Sequence, residues 1–208
     1  MKKLLYILLF SLLLVPFSYA QDADMMQKAQ ERFKNMQTLQ ASVVMTKHNT
    51  MVTNDVKSNG TFYFKKPSKV CMSFNSGKDA LLMDGQTFTM IQDGKRQSLN
   101  GKGNTQLEAL KTLMQNFSAG QESDVDLSDI ADVDMERKGS LIVMTITPIV
   151  DDPKAKRKMM FQSFVVTIDT KTSELKSVRL NEKGQNYTQY DFSNFKQNGE
   201  IADSVFSL

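Results

Sequence analysis

The chain has 208 residues, 26 Lys and Arg against 23 Asp and Glu, one histidine, one cysteine and no tryptophan. Without Lys2 and Lys3, which belong to a leader, 24 basic residues face 23 acidic ones, a net charge of +1. That balance, with no dense Lys/Arg block, excludes the electrostatic footprint of a nucleic-acid binder. A lone cysteine excludes an intramolecular disulfide framework.

Met1-Lys2-Lys3, the apolar run Leu4 to Val15, Pro16 and Ser18-Tyr19-Ala20 have the layout of a cleavable signal peptide, with cleavage expected after Ala20. The apolar run is about 12 residues, short of the roughly 20 a membrane-spanning helix needs. Gln21 follows, so the new N-terminus offers no cysteine for acylation. The expected product is a soluble exported protein, residues 21–208, of one domain.

Met25 or Met26, Ala29, Phe33 and Met36 fall on one stripe, with Asp22 and Asp24 near the positive end of the dipole, which predicts an N-terminal amphipathic helix. Ala41 to Thr46 is the first predicted strand, and Asn49 to Asn59 reads as a polar connection. From Gly60 the period becomes two: Thr61 to Lys65, ended by Pro67, then Val70, Met72 and Phe74 alternating with Cys71 and Ser73. Ala80 to Met83, Thr87 to Ile91 and Arg96 to Leu99 are three short strands separated by Asp84-Gly85 and Asp93-Gly94, the strongest hairpin signal.

Leu107, Leu110, Met114 and Phe117 recur at helical spacing between Thr105 and Ala119, predicting a second amphipathic helix. Gln121 to Asp134 is acidic and reads as a loop. Ser140 to Thr147 is a strand stopped by Pro148, Ile149 to Lys158 a charged loop, and Met159 to Ile168 a ten-residue strand. Asp169 to Ser173 turns into Leu175 to Leu180, and Glu182 to Gln185 into Asn186 to Phe195. The sum is an α+β chain: a large antiparallel sheet with helices on one side.

Several strands are apolar at both parities, Ile142, Met144 and Ile146 against Leu141 and Val143, and Met160, Phe164, Val166 and Ile168 against Met159, Phe161 and Val165. Both faces therefore want cover, and a strongly curved sheet around an apolar space would supply it. Thirteen methionines follow the leader; flexible thioethers suit ligands of variable shape, though they also fill ordinary cores.

Enzyme and metal chemistry find little support. His48 ends a strand with no motif partner, and Cys71 lies in a strand without a neighbouring base. Asp124, Asp126, Asp129, Asp132 and Asp134 lack the glycine and terminal glutamate of a calcium loop and read as a solvated segment. No catalytic residue, metal site or cofactor is expected.

The helix, Leu39-Gln40-Ala41-Ser42 entering a strand, Gly-x-Phe-x-Phe-Lys-Lys-Pro, Leu81 to Phe88, a second helix, closing hairpins, and Ile201 to Phe206 as a tail resemble, in that order, the periplasmic lipoprotein carrier family typified by LolA. The resemblance spans nearly all of residues 21–208. It implies an incomplete, half-open antiparallel barrel covered by helices, with a cavity for lipoprotein acyl chains. It also implies a periplasmic monomer without catalytic activity, loaded by an inner-membrane ABC-type releasing complex and unloaded at an outer-membrane acceptor. The same half-barrel could instead serve a lipid- or lipoprotein-sensing adaptor.

Alternation in the adjacent hairpin strands, with either parity able to face inward, makes Phe62, Phe64, Val70, Met72, Phe74, Met83, Phe88 and Met90 the expected contributors to one such cavity, with Leu107, Leu110, Met114 and Phe117 on a movable lid. Lys66 stands where the family often has an arginine that tethers the lid; a lysine would make a looser tether. Val70 and Met72 stand where the family often shows an aromatic and then tryptophan.

Overall fold

The computed structural model describes residues 35–84, 87–100, 131–157, 159, 161–172 and 174–207. Eleven strands are present: β1 (Thr38–His48), β2 (Val56–Lys65), β3 (Lys69–Phe74), β4 (Asp79–Asp84), β5 (Thr87–Gln92), β6 (Lys95–Asn100), β7 (Ala131–Lys138), β8 (Leu141–Pro148), β9 (Ser163–Asp169), β10 (Glu174–Asn181) and β11 (Tyr187–Gln197). They form one sheet in the order β6-β5-β4-β3-β2-β1-β11-β10-β9-β8-β7, antiparallel at every pairing. The sheet is open, with β6 and β7 as its edges. A helix, α1 (Pro153–Arg157), lies between β8 and β9.

Every pairing joins strands consecutive in the sequence except one. Asp93 and Gly94 both take positive φ, as a two-residue hairpin turn requires, and join β5 to β6. Asp169 Oδ1 accepts from the Lys171 and Thr172 amides and fixes the β9–β10 turn. The exception is β1 with β11, which joins the two halves of the sheet. It is held by nine paired positions from Leu39↔Gln197 to His48↔Tyr187 and by Asn198, whose Oδ1 accepts from the Gln37 amide at 2.8 Å.

Register fixes the faces, because directly paired residues point the same way. On the inner face, Leu39, Ala41 and Val43 of β1 meet Phe64, Phe62 and Gly60 of β2, and these meet Val70, Met72 and Phe74 of β3. Val43 also meets Phe192, and the same face continues through Val178, Val166 and Met144 to Met135 on β7. Most of the fully enclosed residues gather there: Phe164, Ile142, Ile146, Val43 and Val166.

The outer face has a smaller cluster. Ile201 and Phe206 of the C-terminal tail pack on Cys71, Ala80, Leu82 and Ile91, and Asp203 in the tail's 3-10 turn sits between Lys65 (2.9 Å) and Lys69 (3.5 Å). Hydrogen bonding from Lys65 and the charges of both lysines hold the Asp203 carboxyl below the usual carboxylate range. A depressed pKa stabilises the docked tail above the unfolded value and loses that contribution as pH falls through the folded one. Asp203→Asn, or acidification through that range, is expected to speed amide exchange across residues 201–207 while the sheet stays protected; equal exchange in variant and parent would remove the ion pair from tail docking.

Several expectations need correction. Strand β1 runs from Thr38 to His48 rather than Ala41 to Thr46, and β2 starts at Val56, inside the supposed polar connection, because Lys57 and Ser58 pair with Thr46 and Met45. The segment read as loop to Asp134 contains the start of β7, an edge strand exposed from Asp132 onward. The expected strand Met159 to Ile168 is only Ser163–Asp169: Phe161 stacks edge-on against Phe164 at 4.4 Å within the inner-face cluster, and a three-residue spacing cannot share one face of a strand. The charged loop from Ile149 to Lys158 includes α1. Nor is the sheet equally apolar on both faces: Leu141, Val143 and Val165 on the outer side are half-buried, while their inner neighbours are buried. Both amphipathic helices, apart from the described Asn35 and Met36, lie outside the described residues.

A curved apolar face as the candidate site

Eight cavity residues were expected from alternation alone, and their register positions fall in line on the inner face: Phe62 opposite Met72, Phe64 opposite Val70, Val70 opposite Met83, Met83 opposite the backbone of Phe88, and Phe74 opposite Gly60. Met90 pairs with Leu81, which in turn pairs with Met72. Phe62, Phe64, Val70, Met72, Phe74 and Met83 are buried, and Met90 is half-buried. Leu107, Leu110, Met114 and Phe117 lie outside the described residues.

The face is strongly curved. Phe74 on β3 and Tyr190 on β11 are three strands apart, roughly 14 Å in a flat sheet, yet their ring centroids are 6.2 Å apart. Phe62 and Phe192 approach edge-on at 5.4 Å across β1. Small residues make this possible, since Ala41, Val43 and Gly60 floor the trough over which the rings lean. A Cβ on Gly60 would collide with the Ser73 carbonyl and the Phe74 ring. Gly60→Ala is therefore expected to destabilise the fold by about 1–3 kcal/mol in denaturant titration; an unchanged midpoint would mean the β2–β3 ladder yields without cost.

The middle of this face is uncharged. Desolvation, with the Glu182 charge adding to it, pushes the Tyr190 phenol up to about 12, so it stays neutral. Among the described residues the inner cluster is built from side chains of the strands, with Met36 and Phe161 added from their flanks, and no helix crosses it. A hollow of about 260 Å³ lies at one margin, lined by Met90, Gln92, Asp93, Lys95 and Arg96, and its mixed polar lining does not suit an acyl chain.

The remaining candidates fall elsewhere. Lys66 is half-buried and its amide donates to the Gln37 carbonyl at 2.9 Å, while the neighbouring Lys65 makes the ion pair with the tail. Cys71 is fully buried on the outer face beneath the tail, and burial pushes its thiol up to about 11, which keeps it from being a ready nucleophile. His48 is enclosed more than its place at a strand end implied: it stacks on Tyr187 at 4.8 Å and pairs with Asp55 at 2.8 Å. Asp132 and Asp134 are exposed on β7, and no group of three metal-ligating side chains occurs among the described residues. Alternation missed the Tyr190 and Phe192 side of the trough, although Tyr190-x-Phe192 carries the same period-two signal as Phe62-x-Phe64.

Solved structures similar to the chain include a DUF1329 family protein from Desulfovibrio piger (12% identity, TM-score 0.48, covering 88% of this chain and 94% of that one). A putative outer membrane lipoprotein-sorting protein domain from Vibrio parahaemolyticus has 9% identity and a TM-score of 0.45, with 88% and 94% covered. Mycobacterium tuberculosis lipoprotein LppX has 12% identity and a TM-score of 0.41, with 89% and 98% covered. A search of curated proteins gives no match. The profile of the outer membrane lipoprotein carrier protein LolA matches residues 34–208, from the end of the predicted N-terminal helix through every strand to the C-terminal residue, and the chain belongs to that family.

Proposed function

We propose that the protein carries lipoproteins through the periplasm, holding their acyl chains against the inner face of the sheet. The supporting observation is the continuous, uncharged, concave stripe from Met90 and Met83 through Phe62 and Phe74 to Phe192, built from rings and methionines that can repack around chains of different shape. The proposal makes it a monomer without catalytic activity, loaded by an ABC-type complex of the inner membrane and emptied at an outer-membrane acceptor. Family membership supports the lipoprotein cargo and the direction of transfer. The stripe Leu107, Leu110, Met114 and Phe117 is proposed as a movable cover and Lys66 as its tether, both on the sequence alone.

Native mass spectrometry of the protein purified from the periplasm tests this reading. The expected spectrum contains empty protein and 1:1 complexes with acylated proteins. Leu110→Glu, which would put a charge on the closing surface, is expected to deplete the loaded species. A preparation locked in a stoichiometric complex with a membrane regulator, and free of acylated cargo, would replace the carrier with the sensing adaptor.

A further inference from the structure

The β1–β2 hairpin reaches past β3 on one side, while on the other β11 flanks it as far as His48↔Tyr187. Its last pair is Lys47↔Val56, while β3 ends at Phe74 opposite Gly60, so Val56–Asn59 overhang the neighbouring strand by roughly 13 Å at 3.3 Å per residue. At the tip Met51 is 90% exposed and Val52 is 54% exposed, the former the most exposed large apolar residue among those described. Isolated exposed apolar residues are ordinary on a protein surface. Here two adjacent ones stand at a hairpin tip that is held firmly.

The Asn49 side chain accepts from the Met51 amide at 2.9 Å, and the Asn49 carbonyl from the Val52 amide at 3.0 Å, closing the turn. The Thr50 amide donates to Asn186 Oδ1 at 2.9 Å, bracing the tip against the β10–β11 turn. Two exposed lysines flank it, Lys47 on the inner side and Lys57 on the outer side, while the tip's one acid, Asp55, is held by His48; on the bracing turn Lys183 donates to the Arg157 carbonyl and Glu182 accepts from the Thr188 hydroxyl.

We propose that this tip docks on anionic bilayers, Met51 and Val52 entering the headgroup region while Lys47 and Lys57 face lipid phosphates. Two apolar side chains with a cationic collar give reversible surface binding, not insertion. The inference rests on the hairpin alone and is independent of what the inner face holds.

Because the chain has no tryptophan, Met51→Trp makes a unique reporter at a position where the larger side chain meets only solvent. Its emission is expected to shift to the blue on adding vesicles of phosphatidylethanolamine and phosphatidylglycerol, and to be quenched by brominated acyl chains in them. Lys47→Glu with Lys57→Glu in the same protein should lower vesicle partitioning at least about tenfold. Emission unaltered by the vesicles, an equal shift from Ile149→Trp in place of Met51→Trp, or a shift that depends on protein concentration without lipid, which marks a second copy of the chain as the occupant, would each overturn the assignment.

Discussion

Phe164→Ala is expected to cost the protein about 3–5 kcal/mol, the range for deleting a fully enclosed ring. Phe164 has no exposed surface; it lies on β9 opposite Ile146 on one side and Leu180 on the other, with Phe161 edge-on at 4.4 Å. The surrounding residues are Ile142, Ile146, Val166 and Ile168, branched side chains fixed on paired strands that cannot slide into the gap. Equilibrium denaturation measures the loss, and a cost under about 1.5 kcal/mol, the value for a site that repacks with a volume-conserving side chain, would show this half of the face to be adaptable. A rigid β8–β9 half beside a methionine-rich β3–β5 half means that reshaping around a ligand belongs to the latter.

How much of this was legible depended on whether local sequence and tertiary environment demanded the same thing. The β3 to β6 meander was readable because Asp-Gly pairs and alternation specify the same register, and eight predicted cavity positions consequently share one face. Strand β7 was missed although Ala131, Val133 and Met135 alternate with Asp132, Asp134 and Glu136; as an edge strand it keeps its charges exposed, and their density masked the period. The first half of β2 was missed for a related reason, since an overhanging hairpin needs no apolar face. Cover for the outer face came from Ile201 and Phe206, whose packing on β3 and β4 is a long-range contact that periodicity cannot register. The curvature, too, rests on where Gly60 and Ala41 fall relative to rings on other strands, information that exists only once the register is set.

Met90→Glu separates a ligand-binding surface from an ordinary core. Met90 lies opposite Leu81 on the inner face, and both are half-buried, whereas Phe62, Phe74 and Met83 are sealed. A carboxylate among the sealed residues would unfold the sheet, because burying an unpaired charge costs far more than the fold can absorb. At Met90 the carboxylate keeps access to water, with Lys95 and Arg96 lining the same hollow, so the stability loss is expected to stay near 1 kcal/mol, in the usual range for point substitutions. Acyl-chain binding is expected to suffer far more: a chain laid along the stripe would have to desolvate that charge, and loss of even two buried methylenes is worth about 1.6 kcal/mol, more than tenfold in affinity. The decisive measurement is fluorescent fatty-acid or lipoprotein binding alongside the thermal midpoint of Met90→Glu and of Met90→Leu, which keeps the volume and the apolar character. Weak binding by the glutamate variant with a near-parental midpoint, and parental binding by the leucine variant, would place the ligand against β4 and β5. Parental binding by both variants would exclude that part of the stripe from any acyl-chain site and move the search toward Tyr190, Phe192 and Val178.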